Sequence, residues 1–288
     1  MARHNQHVGK MSLYLILGLV AVIAATLTLG AARWQSASQA LDARLEAAYA
    51  PAKPTTYDAN ELDGLPAPVQ RYFRAVLSDG QAIVSRVSVT HTGTFNMSET
   101  AEQWKPFTST QHVTTRPPGF VWNGRIAMIP GLPVRVHDAY VAGEGLLRAS
   151  LFGLITLAEM RGTPAMNEGE LMRYLAEAAW YPTALLPGQG VQWTAVDDSS
   201  AKATLRDGNT RASLLFRFDE AGLIESVYAE TRGRSVAGDI IATPWEGRWF
   251  DYALRDGMRI PLAGEVAWLL PEGRKPYWRG RIAEIRFE

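Results

Sequence analysis

Residues 167–193 read NEGELMRYLAEAAWYPTALLPGQGVQW, a helix delivered through a corner onto a strand. Asn167 is a helix-capping residue type, and Glu170 three positions on completes a capping box. Leu171, Tyr174, Leu175 and Ala178 then recur at the spacing of one apolar stripe. Arg173 and Glu177 stand four apart on its flank, a pair contributing only about a few tenths of a kcal/mol when exposed. Pro182 stops the helix and forces Tyr181 out of helical geometry. Pro187-Gly188-Gln189-Gly190 makes a turn before Val191 opens a strand. The spacing predicts a helix over 168–180 and a corner carrying Trp180, Tyr181 and Trp193. Its stripe must be buried, and the strands that follow are the available surface.

Those strands flank it on both sides. From Ile83 the apolar period becomes two, with Ile83, Val87, Val89 and Phe95 on one face and Arg86, Ser88, Thr90 and Thr92 on the other. Further strands are expected at 108–115, 120–128, 134–142 and 146–157. After the central helix come 191–196, 201–206, 212–219, 223–231, 245–252, 258–268 and 277–287. Pro-Pro-Gly, Pro-Gly-Leu-Pro and Gly-Glu-Gly divide the first set; Asp-Asp-Ser-Ser, Arg-Asp-Gly-Asn, Asp-Glu-Ala-Gly and Arg-Asp-Gly join the second. Strands joined by such short turns are antiparallel. About a dozen of them cannot stay flat and open. A second helix at 66–77, opened by prolines and striped by Val69, Tyr72, Phe73 and Val76, joins the first in covering one face. The expected fold is α+β, mainly antiparallel β: a curved sheet or partial barrel with two covering helices, plus an N-terminal transmembrane helix.

That transmembrane helix is read from 11–32, which carries no charge and is dominated by Leu, Ile, Val and Ala. Roughly 20 such residues cross a bilayer. The alternatives are a buried helix, which the extreme N-terminus does not favour, and a cleaved signal, which has a shorter apolar core ending at small residues such as Gly30-Ala31-Ala32. Arg3 and Lys10 precede the span and Arg33 follows it, which places the N-terminus, 1–10, in the cytoplasm. Residues 33–62 read as a helical stalk and a linker, with Pro51 and Pro54 ending the helix. Residues 63–288 read as a single extracytoplasmic β-rich domain of a single-pass inner-membrane protein.

Composition narrows the function. The 29 basic and 29 acidic residues cancel, so nothing points to nucleic acid. With no cysteine there is no disulfide, thiolate metal site, cysteine nucleophile or lipoprotein anchor. No Gly-rich phosphate loop or H-E-x-x-H appears, and no cofactor is implied.

LPAPVQRYFRAVL, PPGFVWNGRI, GELMRYLAEAAWYPTALLPGQGVQWTAVDDSSAKATL and TPWEGRWFDYALRDGMRIPLAGEVAWLLPEG resemble, over nearly everything after residue 60, an uncharacterised bacterial domain-of-unknown-function family. That resemblance brings no activity. More loosely, Gly257-Met258-Arg259-Ile260-Pro261 and the hairpins around it resemble the end of LolA-type lipoprotein carriers. The second resemblance implies an open curved sheet wrapped over helices, with a lipid chain between them.

Among candidate sites the aromatics come first: Tyr174, Trp180, Tyr181, Trp193, Trp245 and Trp249 gather near the helix–sheet junction, with Glu246 beside them. They either fill a large core or wall a cavity for a hydrophobic, lipid-like ligand. Glu246 and Glu177 are the acids for an alternative reading as an envelope enzyme, although no catalytic constellation is set by spacing. Glu246 and Arg248 are expected to pair across strands with partners such as Arg279 or Glu265. His91, His112 and His137 lie on different strands without metal-ligand spacing, so no metal site is assigned. Gly233-Arg234-Ser235-Val236-Ala237 departs from a nucleophile elbow and reads as a loop. A third reading is a structural domain with no ligand.

Overall fold

A computed structural model describes residues 2–51, 53, 55–98, 100–129, 132–236 and 239–288. Pro54, the Pro130-Gly131 punctuation and Ala237 lie outside the described residues, as do the side chains of Arg3, His4, His7 and Lys10.

The alternating segments form one antiparallel sheet of 13 strands. In chain order they are β1 (Arg86–Asn96), β2 (Trp104–Thr114), β3 (Gly119–Ile129), β4 (Leu132–Val141), β5 (Glu144–Leu151) and β6 (Ile155–Arg161). Then follow β7 (Gln192–Asp197), β8 (Ser200–Asp207), β9 (Thr210–Phe218), β10 (Ile224–Val236), β11 (Asp239–Arg255), β12 (Met258–Leu270) and β13 (Gly273–Phe287). Spatially the order is β6-β5-β4-β3-β2-β1-β13-β12-β11-β10-β9-β8-β7. Two meanders are therefore joined where β1 pairs with β13, with Val89 opposite Ile285 and Gly93 opposite Gly280. The sheet is open and curved. The expected 146–157 strand is two, because Phe152 and Gly153 adopt positive φ (57° and 74°) and fold the chain into a hairpin. The expected loop at 233–236 is instead the end of β10.

The chain leaves the sheet at one edge and re-enters at the other, and the central helix makes that crossing. Helix α3 (Pro164–Glu177) packs against β5 on one side and β9 on the other. Its stripe, Leu171, Tyr174, Leu175 and Ala178, is fully buried as expected. Its start is not as expected. Thr163 is the cap, accepting from the Met166 backbone N–H at 3.2 Å, with Pro164 in the first turn. Asn167 instead accepts from the Gly145 N–H at 2.8 Å, and Glu170 is buried rather than closing a capping box. Capping propensity placed the helix start one turn too late, because Thr163-Pro164 fills the same role four residues before Asn167. Short 3-10 turns follow over Ala178–Trp180, Pro182–Leu185 and Pro187–Gln189. Helix α2 (Ala67–Val76) buries Val69, Tyr72, Phe73 and Val76 in the same core.

The N-terminal segment is one helix, α1 (Ala2–Ala48), whose apolar part is long enough to cross a membrane. Its C-terminal part lies along the outer face of the sheet. Leu41 and Leu45 form a small second core with Val121, Ala139, Val141 and Leu146, residues whose neighbours Phe120 and Tyr140 point into the main core. Trp34 stacks on His137 with centroids 3.8 Å apart and donates to Asn123 Oδ1 at 3.1 Å.

Candidate ligand-binding site

Between the end of α3 and the inner face of β1, β3–β5 and β10–β13 lies a cavity of about 260 Å³. Its wall is aromatic and aliphatic: Trp122, Trp180, Trp245, Trp249 and Trp278 with Ile126 and Val134, among others. Three of these tryptophans come from one repeated pattern. Trp122-Asn123-Gly124, Trp245-Glu246-Gly247 and Trp278-Arg279-Gly280 each place a glycine two residues after the indole, on the same face of the strand. A Cβ on Gly124 or Gly280 would fall inside its own Trp122 or Trp278 ring, and one on Gly264 would come within 2.7 Å of Trp249. The missing side chains let each ring lie flat along the strand, leaving space above it. This pattern was legible in the sequence and locates Trp122 and Trp278, which the helix-centred reading did not include.

One side of the cavity is charged. Arg173, on the inner face of α3, donates to Asp138 Oδ2 at 2.6 Å and to Glu177 Oε1 at 2.7 Å. Its guanidinium lies over the rings of Phe120 (4.8 Å) and Trp122 (5.5 Å). Burial opposes its charge, but Glu177, Asp138 and Glu170 outweigh that and hold it protonated. Gln111 donates to the second oxygen of Glu177 at 2.6 Å. The Arg173–Glu177 pair foreseen at helical spacing thus exists, but inside the protein and in a network. Arg232 sits over Trp245 at 4.9 Å, with Glu170 at 3.6 Å. Burial first, then the charge of Asp138, pushes the Glu170 carboxyl well above the ordinary range, only partly countered by Arg232 and Arg173. Asp138 also shares a hydrogen bond with the Glu170 carboxyl, and the indole nitrogens of Trp180 and Trp249 are buried without a hydrogen-bond partner in the protein. Such groups cost about 1–3 kcal/mol each, so the cavity combines an apolar wall with a few unspent polar contacts.

The residues singled out from sequence divide. Trp180, Trp245 and Trp249 line this cavity, as does Glu177. Tyr174 and Tyr181 pack behind it in the solid core, ring centroids 5.8 Å apart. Trp193 lies elsewhere, edge-on to Phe216 (5.1 Å) and Phe73 (6.4 Å), its N–H donating to the Leu185 carbonyl at 3.0 Å. Glu246 occupies the opposite face of β11 from Trp245 and is held by Arg248 (2.9 Å) and Arg274 (2.6 Å); Arg279 bonds Glu265 instead. The histidines stand apart. His91 is buried beside Trp180 (4.8 Å), its pKa lowered to about 3 by burial and then by Arg173. His137 accompanies Trp34, and His112 contacts Asp42 at 2.9 Å. Among the described residues no three His, Asp or Glu side chains form a metal-binding group.

The model of a family of unknown function, DUF6920, matches residues 63–287 of the chain. Among solved structures, the chain is similar to a LolA superfamily protein from Nitrosomonas europaea, with 9% identity and a TM-score of 0.37 over 78% of this chain and 94% of that one. It is also similar to a β-barrel-like protein of the domain of unknown function DUF1849 from Brucella abortus, with 10% identity and a TM-score of 0.19 over 71% and 98%. No curated protein gives a significant match.

Proposed function

We propose that this chain, which belongs to the DUF6920 family, is a membrane-anchored protein that holds one hydrophobic, lipid-like chain between α3 and the curved sheet. The observation that carries this reading is the cavity itself. About 260 Å³ walled by five tryptophans falls just below the range of ligand pockets, roughly 300–1,000 Å³, and suits one slender chain rather than a whole diacyl lipid. The Trp180 and Trp249 N–H groups, which have no hydrogen-bond partner in the protein, are the donors available to a single polar end group. Residues 11–32 cross the inner membrane with 1–10 in the cytoplasm. The domain of 63–288 lies outside it, with residues 33–48 running along its outer face.

The test uses the full chain in amphipol and a fatty acid brominated along its tail. Bound in the cavity, the bromines quench the five lining indoles of the nine in the chain. Ala149→Trp fills the space from β5, so saturable quenching is expected to disappear while the fold is retained. Quenching that persists unchanged in Ala149→Trp means the chain binds elsewhere, and the reading fails.

A further inference from the structure

Helix α1, on the outer face of the sheet, and an apolar row leading from the cavity, on the inner face, both reach the β5–β6 turn. Along the outer face α1 descends from Leu45 and Leu41, against Val141, Ala139 and Val121, to Trp34 beside Asn123 and His137. Fifteen residues from Leu45 to Gly30 cover about 22 Å of helix. At Gly30 it reaches the β5–β6 turn. A Cβ there would strike the Phe152 carbonyl and come within 2.8 Å of Leu154 Cγ, while Gly153 packs back against the Gly30 backbone. This glycine–glycine clasp fixes the turn against the helix at the point where α1 leaves the sheet. Beyond it, from Met11 to Leu29, the large apolar side chains face outward.

On the inner face, strand register connects that same turn to the cavity. Ile126 pairs with Val134, Val134 with Leu151, and Leu151 with Ile155. Directly opposed residues of antiparallel strands share a face, so the four form one apolar row. Ile126 and Val134 line the cavity. Exposure rises outward along the row, from 3% at Ile126 and 6% at Val134 through half-buried Leu151 to 57% at Ile155. Leu157 is exposed next to it on the edge strand β6.

We infer that the β5–β6 edge beds in the lipid surface that α1 enters, and that the row Ile126–Val134–Leu151–Ile155 is the path by which an acyl chain passes between bilayer and cavity. The inference rests on the two readings above, a spanning α1 and a chain-binding cavity. The bilayer is the occupant because α1, clasped to this turn, carries its exposed apolar run away from the same spot.

The chain has no native cysteine, so single cysteines report cleanly. A nitroxide on Ile155→Cys in full-length protein in phosphatidylcholine nanodiscs is expected to be oxygen-accessible and shielded from a water-soluble relaxant. One on Leu254→Cys, itself 67% exposed and on a different hairpin, is expected to be water-accessible. Ile155→Asp is expected to slow quenching by brominated chains supplied from vesicles at least several-fold, while leaving final occupancy from cyclodextrin unchanged. A water-accessible Ile155 label with normal chain occupancy overturns the path and leaves the ligand reading standing. An immersed label with no occupancy in any variant overturns both. Rapid disulfide formation between copies of Ile155→Cys in detergent would show β6 pairing with a second copy instead, and would also overturn the inference.

Discussion

Replacing Arg173 with methionine tests the charged side of the cavity most directly. Arg173, Asp138 and Glu177 have side chains only 16%, 18% and 11% exposed, so solvent screens them little. Methionine keeps much of the apolar volume over Phe120 and Trp122 but removes both charge-assisted hydrogen bonds. It leaves two carboxylates facing each other in a poorly solvated space. Breaking a buried pair by removing one partner typically costs about 3–5 kcal/mol, and the residual exposure argues for the lower half of that range. Denaturant midpoints of the full chain, followed by near-UV tryptophan dichroism, would read the loss; an unchanged m-value would show that stability alone has moved. Adding Asp138→Asn and Glu177→Gln to Arg173→Met should recover most of the loss, since the three sites act as one network. A loss below about 1 kcal/mol, the range of an exposed pair, would refute the reasoning.

Two further outcomes follow from the same geometry. Glu170 has its pKa raised in the folded protein, chiefly by burial, so the stability tied to its protonated form is complete below the ordinary carboxylate range and is lost as pH rises through the folded value. The melting temperature of Glu170→Gln relative to the parent should therefore climb with pH across that window, and a difference that is flat or falls would contradict the assignment. Gly280→Val should drive the Trp278 ring off its strand into the cavity, abolishing brominated-chain quenching and costing about 1–3 kcal/mol by overpacking; retained quenching would show that the ring does not bound the ligand space.

Local and periodic features were decided by the residues alone. Alternation marked out the strands, Gly- and Asp-rich turns made them antiparallel, the Leu171–Ala178 stripe predicted a buried helix, and the uncharged run after Lys10 predicted a long apolar one. All of these depend on neighbours within a few positions, where spacing carries the information. What only the tertiary structure decided depends on register between distant segments. The pairing of β1 with β13 brings Phe95 and Trp278 to one wall, whereas Trp193, closer in sequence to α3, is left far from it. Glu170 satisfies a capping pattern yet points inward, because β10 brings Arg232 to meet it. Trp34, Leu41 and Leu45 recur at helical spacing, but nothing in that spacing says their partner is the outer face of β3 and β4 rather than solvent or lipid. A side chain's face is set by its own strand, but what lies opposite that face is set by how the whole sheet curls around α3.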